Sequence, residues 1–341
     1  PERPSVRVPK SLLAAAMVAS GVWRIARRRN RRRLRILMYH GVTDRPLPTW
    51  TQLPVERFAE QMEHLRRHYR VVSLDEAVEG LRCGRALPDH AVVLTFDDGF
   101  RNNLTAAYPI LRTHGFPAII YLATAFLDRD PRFGGLLWPD RLFLLLESAP
   151  EGELDLSAWG LGRFPLRGDP DRRRAREVLS AALKREDPAR KNAVLEAIAA
   201  QVGEVRGDLA QALEGLSWDE ARDLDAQGLV RFGAHTMHHD ILTRLPPEAV
   251  EEEIRGARER IESELGKEIR HFAYPNGTRA DFDAAVREAA SRHFVSAVTT
   301  IDGLAGPQGD LFALPRIPIG RDATAAEFTL RLCGLWPGRE R

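Results

Sequence analysis

The sequence predicts an α/β fold in which strands and amphipathic helices alternate around a largely parallel sheet. Short apolar runs rich in β-branched residues recur from Ile36 to Tyr39, Arg70 to Ser73, Ala91 to Phe96, Ala118 to Ala123, Val230 to Ala234, His271 to Tyr274 and Phe294 to Thr299, about seven strands. The stretches between them carry one apolar face: Phe58, Met62, Leu65 and Tyr69 recur at helical spacing, as do Val250, Ile254 and Ile261. A third observation marks an interruption. From roughly Glu147 to Leu216 the rhythm fails, with Pro, Gly and Asp up to Pro170 followed by charged helix-forming sequence such as REVLSAALKRE and NAVLEAIAAQV, so a helical insertion is expected there. The next helix is announced by Ser217 with Glu220, a capping box ahead of Trp218, Ala221 and Leu224, and Gly228 closes it before the following strand.

With 44% hydrophobic and 29% charged residues over 341 positions, the chain can bury a full core. Its net charge of +2 conceals an asymmetry, since residues 1–35 hold eleven Arg or Lys against the single acid Glu2, leaving the remainder at −8. The apolar run from Leu12 to Trp23 is too short to span a bilayer, which takes roughly 20 residues. A basic amphipathic helix on an anionic membrane surface fits this end. A solvated arm, or a signal cleaved near Val18-Ala19-Ser20, are the alternatives, and the compartment is left open between membrane-associated, cytoplasmic and exported. Nucleic acid is excluded as a partner, because the rest of the chain is acidic and offers no basic residues interleaved with aromatics. Cys83 and Cys333 form no metal-binding pattern and imply no disulfide framework.

Three segments stand at the carboxyl ends of expected strands, where barrels and open α/β sheets place their sites: VVLTFDDG at 92–99, FGAHTMHH at 232–239 and FAYPNG at 272–277. His235 and His239, four apart, would share one face if the chain turned helical after its strand, and both imidazoles could then reach one ion. His238 is adjacent and competes with His239 for that role. Asp97 and Asp98 stand flush against an apolar strand and repel one another, a cost that a nearby cation would offset. Two imidazoles and one carboxylate leave positions open for water and substrate, as catalytic metal sites do. The other aspartate can then act as general base towards water whose pKa the metal lowers to ~7, which describes amide or ester hydrolysis.

TFDDG, HTxxH and FxYPxG resemble the signature motifs of the polysaccharide deacetylases, the NodB-homology group of carbohydrate esterase family 4, and the resemblance runs from Leu34 to Phe328. ILMYHGV, FAEQMEHLRRHYRVVSLDEA, SWDEARDL and LPRI look like phrases of one branch. The resemblance implies a distorted (β/α)7 barrel as a catalytic domain over 34–330, and the sequence pattern adds the helical insertion over about 147–216, a basic arm over 1–33 and a tail over 331–341. It implies a polysaccharide substrate bearing N-acetylhexosamine units. It also implies Asp97 as base, and Asp98, His235 and His239 as ligands of one divalent metal: zinc, or alternatively cobalt or nickel.

Two departures from the family pattern matter. The arginine usual before the third motif's proline is absent, with Arg270 a stand-in slightly upstream, and no histidine follows His293 to serve as the late general acid. A circularly permuted branch that includes biofilm poly-N-acetylglucosamine deacetylases supplies that histidine from the N-terminal strand, where His40 stands in this chain. At an ordinary pKa near ~6.5 it could protonate the departing amine, or it could merely bond a loop. Backbone donors near Tyr274, in the Tyr274-Pro275-Asn276 stretch, would stabilise an oxyanion. Arg316 is expected to orient Asp97, to replace the missing arginine at the substrate, or to form a structural salt bridge. Trp138 and Asp140 could meet a sugar ring or simply pack the insertion. Besides a deacetylase, two alternatives stand: an amidase or deformylase acting on a lipid-linked amino sugar, and a carbohydrate-binding protein without turnover.

Overall fold

In the computed structural model, which describes residues 9–45, 47–130, 135–203 and 207–336, the alternation closes into a ring. Seven parallel strands form it: β1 (Arg35–Tyr39), β2 (Ala91–Phe96), β3 (Ala118–Leu122), β4 (Val230–Ala234), β5 (His271–Ala273), β6 (Ser296–Asp302) and β7 (Leu314–Pro318). Each pairs with the next in sequence, and β7 returns to β1 with Leu37 opposite Ile317 and Met38 opposite Pro318. This is the expected (β/α)7 barrel.

Strand periodicity divides the side chains into two sets. Ile36, Val93, Ile119, Tyr121, Val298 and Leu314 fill the interior, while alternate residues such as Leu37, Leu94, Ile120 and Phe232 pack outward against the helices. The same parity carries Val93 and Thr95 on to Asp97, so Asp97 belongs to the barrel mouth. Gly233 lies in β4 where a Cβ would sit 2.6 Å from the Tyr121 ring and 2.8 Å from the His271 carbonyl, so no side chain fits beside the interior tyrosine.

The strand count of seven is right but its membership is not. Arg70–Val71 pairs only with Ala91 and Val92 at the entry of β2 and lies outside the ring, whereas β7 closes it. Pro315, Arg316 and Pro318 obscure β7 in the sequence, since proline lacks the donor that a strand ladder uses. The insertion begins earlier than expected, with the Trp138–Ser148 helix, and is not wholly helical. An antiparallel hairpin of Glu153–Leu156 and Gly162–Pro165 precedes the Asp169–Leu183 and Pro188–Val202 helices. Leu142, Leu145, Leu154, Phe164, Leu179 and Ile198 give it a core of its own. Hairpin strands this short, set among Gly, Pro and Asp, carry too little alternation to be seen in sequence.

The capping box of Ser217 and Glu220 forms as expected. At the amino end, the helices Lys10–Ala19 and Val22–Arg29 pack on the Ala325–Leu332 helix, with Trp23 and Ala14 against Leu330 and Cys333. Residues 1–8 of the expected arm and 337–341 of the expected tail lie outside the described residues.

Candidate active site

The Asp97 N–H extends the ladder by donating to the Tyr39 carbonyl at 2.9 Å. Asp98 then takes a left-handed conformation, φ 76°, which an aspartate tolerates better than most residues. That turn sends the two neighbouring carboxylates to different partners. Asp97 meets Arg316 of β7 in a fork, Nη1 to Oδ1 and Nη2 to Oδ2, both at 2.7 Å. Arg316 is itself held by the Thr95 hydroxyl at 3.0 Å and the Thr299 carbonyl at 2.8 Å, and is fully buried. Burial alone would raise the Asp97 pKa, but the guanidinium outweighs it and holds the carboxyl below the usual carboxylate range.

Asp98 turns towards two imidazoles. Its Oδ1 lies 3.5 Å from His235 Nε2 and 3.3 Å from His239 Nε2, and the three potential ligand atoms fall within 4.8 Å of one another. That Oδ1 is buried without a hydrogen-bond partner among the described residues. Burial again acts to raise the pKa, and the histidines, His239 foremost, bring it below the usual range. His235 hydrogen-bonds through Nδ1 to the Ala273 carbonyl at 2.7 Å, which fixes the ring with Nε2 facing Asp98. Burial, then the neighbouring His239, pushes its pKa down to about 4, so the ring is neutral and its lone pair available. A buried carboxylate oxygen facing two imidazole nitrogens fits a divalent cation.

The histidines converge by a route the sequence did not suggest. No helix spans His235 to His239; the chain leaves β4 as an irregular loop in which Thr236 (φ 65°) and His239 (φ 56°) are left-handed. Four of the six non-glycine residues with positive φ among the described residues, Asp98, Thr236, His239 and Asn276, sit in the three motif loops. Glu253 fastens this loop, accepting from the Met237 and His238 backbone N–H groups at 2.9 Å each and from the His238 ring. His238 is thereby tied to Glu253 and stands outside the three-atom group. Glu253 was missed in sequence, although an acid at the i+3 position from Val250, on the buried face of a helix, was the available signal.

His40, at the end of β1, joins the same site. It packs edge-on against Trp50 with ring centroids 5.1 Å apart, and its Nδ1 is buried without a hydrogen-bond partner among the described residues. Burial lowers its pKa, against the opposing pull of the Asp98 and Asp97 charges.

Several other expectations change. The Tyr274 N–H donates to the Val298 carbonyl at 3.2 Å and so is committed to the sheet, while its ring stacks on Phe282. Pro275 has no N–H. Asn276, with φ 58° and its side chain bonded to Asp281 at 2.5 Å, keeps a backbone N–H with no acceptor among the described residues. Arg270 pairs with Asp75 at 2.6 Å beside the entry of β5, at the far end of the barrel, and cannot stand in for the missing arginine. Arg316 is fully buried, with its guanidinium committed to Asp97, Thr95 and Thr299. Trp138 is buried in the insertion core beneath the Lys191 ammonium, 5.4 Å from the ring centroid. Asp140 is buried too; that burial, and then the nearby Asp98 charge, pushes its carboxyl well above the usual range.

The polysaccharide deacetylase family model matches residues 84–147 and 177–298, more than half of the chain. A poly-beta-1,6-N-acetyl-D-glucosamine N-deacetylase of Escherichia coli is 35% identical over 85 residues, which is 24% of this chain and 13% of that protein. The chain thus matches only a small part of that relative's length. Among solved structures, the Streptococcus pyogenes deacetylase PplD in complex with acetate superposes with a TM-score of 0.59 at 17% identity, covering 88% of this chain and 98% of that one. IcaB from Ammonifex degensii gives 0.56 at 17%, covering 89% and 97%. At such identity these two structures speak for the fold.

Proposed function

The chain belongs to the polysaccharide deacetylase family, and from that premise we infer that it is a metal-dependent hydrolase removing N-acetyl groups from N-acetylhexosamine units of an exopolysaccharide or cell-wall glycan. The observation that carries this reading is the placement of an arginine-held carboxylate, Asp97, beside the converging atoms of Asp98, His235 and His239 at the barrel mouth. Those three residues would hold the cation, and their mixed imidazole and carboxylate chemistry suits zinc. When bound, the ion supplies Lewis acidity that polarises the amide carbonyl and acidifies water.

Asp97 accepts the proton of the attacking water. Arg316 occupies one direction on each Asp97 oxygen and leaves a second lone pair free to receive it. The Asn276 N–H is the backbone donor available to a developing oxyanion. As the carbon–nitrogen bond breaks, His40 gives its proton to the amine, and acetate and the free amino sugar leave. The name of the Escherichia coli relative makes poly-N-acetylglucosamine the first polymer to try.

The test is amine release from a β-1,6-linked N-acetylglucosamine oligomer by protein stripped with chelator and then restored with zinc. Activity should vanish and return, and Asp97→Asn should bind zinc yet release no amine. Absence of amine release from wild-type protein carrying one tightly bound zinc per chain would overturn the assigned reaction. Wild-type rates in Asp97→Asn would overturn the assigned base.

A further inference from the structure

Six large apolar side chains are exposed among the described residues, and four of them lie in the two N-terminal helices: Leu12 (60%), Leu13 (49%), Val22 (37%) and Ile25 (73%). The helices are not loosely tethered. Ala14, Met17 and Val18 of the first, and Trp23 and Ala26 of the second, pack against Leu330 and Cys333. Asn30 bonds the Cys333 carbonyl at 2.9 Å, Arg27 donates to the His68 carbonyl, and the buried Arg35 donates to the Leu332 carbonyl at 2.6 Å. The inward face of the second helix is therefore Trp23, Ala26, Arg27 and Asn30. Val22, Ile25 and Arg29 recur at i, i+3 and i+7 on another face, turned to solvent.

Arginine is divided in the same way. Arg27 and Arg35 are spent on the body of the protein, whereas Arg28, Arg29 and Arg32 are exposed and make no ion pair among the described residues. No acidic residue lies between Pro9 and Arg35. Exposed aliphatic side chains rimmed by unneutralised guanidinium groups match a surface that offers acyl chains beneath phosphates. A second copy of the chain would bring arginine against arginine. A nucleic acid would satisfy the arginines and leave the aliphatic residues in water.

We propose that the Lys10–Arg29 helix pair is a docking surface for an anionic lipid bilayer, with Leu12, Leu13, Val22 and Ile25 entering the acyl boundary and Arg28, Arg29 and Arg32 lying among the headgroups. The pair lies on the surface and does not cross it. No helix of the described residues is long and apolar enough to span, and ten helical residues reach only about 15 Å against a core of about 30 Å. Because Arg29 leads into β1 at Arg35, the arginine-rich end sits where the strands begin, at the end of the barrel away from the site.

The experiment is co-sedimentation of the full chain with vesicles of phosphatidylcholine alone and of phosphatidylcholine mixed with phosphatidylglycerol. Binding to the mixed vesicles only, weakened by salt, is expected. Replacing Arg28, Arg29 and Arg32 by Gln should weaken it on the order of 10²-fold, at about fivefold per arginine. Leu12→Gln/Ile25→Gln should also bind more weakly; both positions are exposed, so the melting temperature should hold. Failure of the wild-type chain to bind mixed vesicles overturns the proposal, as does equal binding to both vesicle types. Undiminished binding by Leu12→Gln/Ile25→Gln overturns it too, since that outcome describes attraction to any polyanion.

Discussion

At the scale of single residues, the Asp97–Arg316 fork decides how the proposed base behaves with pH. A buried carboxylate left alone would be protonated near neutrality, and Arg316 keeps it ionised. Asp97 can take a proton only above its own pKa, so activity should fall as the pH drops through that value. Arg316→Lys keeps a charge but loses the fork, so the carboxyl should rise and the acidic limb of kcat/KM should move to higher pH by on the order of one unit. The stability argument runs the same way: a folded-state pKa below the unfolded one contributes stability that is present above the ordinary carboxylate value and is lost as pH falls through the folded value. The variant should therefore also lose part of its acid resistance. A limb that stays in place would show that Arg316 only supports the fold.

At the scale of elements, the proposed ligand histidines depend on a loop held from two sides. The Pro247–Leu265 helix holds it through Glu253, and the insertion holds it through Lys191, whose ammonium pairs with Asp240, one residue beyond His239. Both partners of that pair are buried, Lys191 at 5% and Asp240 at 6% exposure. Removing one partner strands the other charge. Lys191→Met should thus cost about 3–5 kcal/mol in urea unfolding, and Lys191→Met/Asp240→Leu considerably less. Equal losses in the two variants would mean the pair contributes only bulk. An insertion that reads as an appendage in sequence is in this way joined to the loop that carries His235 and His239.

At the scale of the whole molecule, the ring brings together residues as far apart as His40, Asp97, His235 and Arg316. Asp98 Oδ1 is buried with no hydrogen-bond partner among the described residues. A cation that binds only the assembled ring must stabilise it: zinc at a hundredfold excess over its Kd should add about 2.7 kcal/mol to unfolding, and chelation should remove it. A melting temperature indifferent to both zinc and chelator would argue that the three-residue group does not bind metal.

The sequence by itself determined the strand–helix alternation and the three strand-end motifs, because these depend on local periodicity and on residue chemistry at short spacing, whereas the choice of Asp98, His235 and His239 as the expected donor set came through family resemblance. It pointed to His40 and Arg316 through family resemblance, without deciding what either would touch. The tertiary structure alone decided that Leu314–Pro318, with its two prolines, closes the ring in place of Arg70–Val71, since closure is a property of all seven strands together. It also decided that the histidines meet through left-handed loop residues with no helix between them. That conformation is held by Glu253, Thr124 and Ala125, contacts remote in sequence that no local pattern encodes. The burial of Trp138 and the pairing of Arg270 with Asp75 belong to the same class, because which end of a barrel a side chain faces is set by packing across the ring.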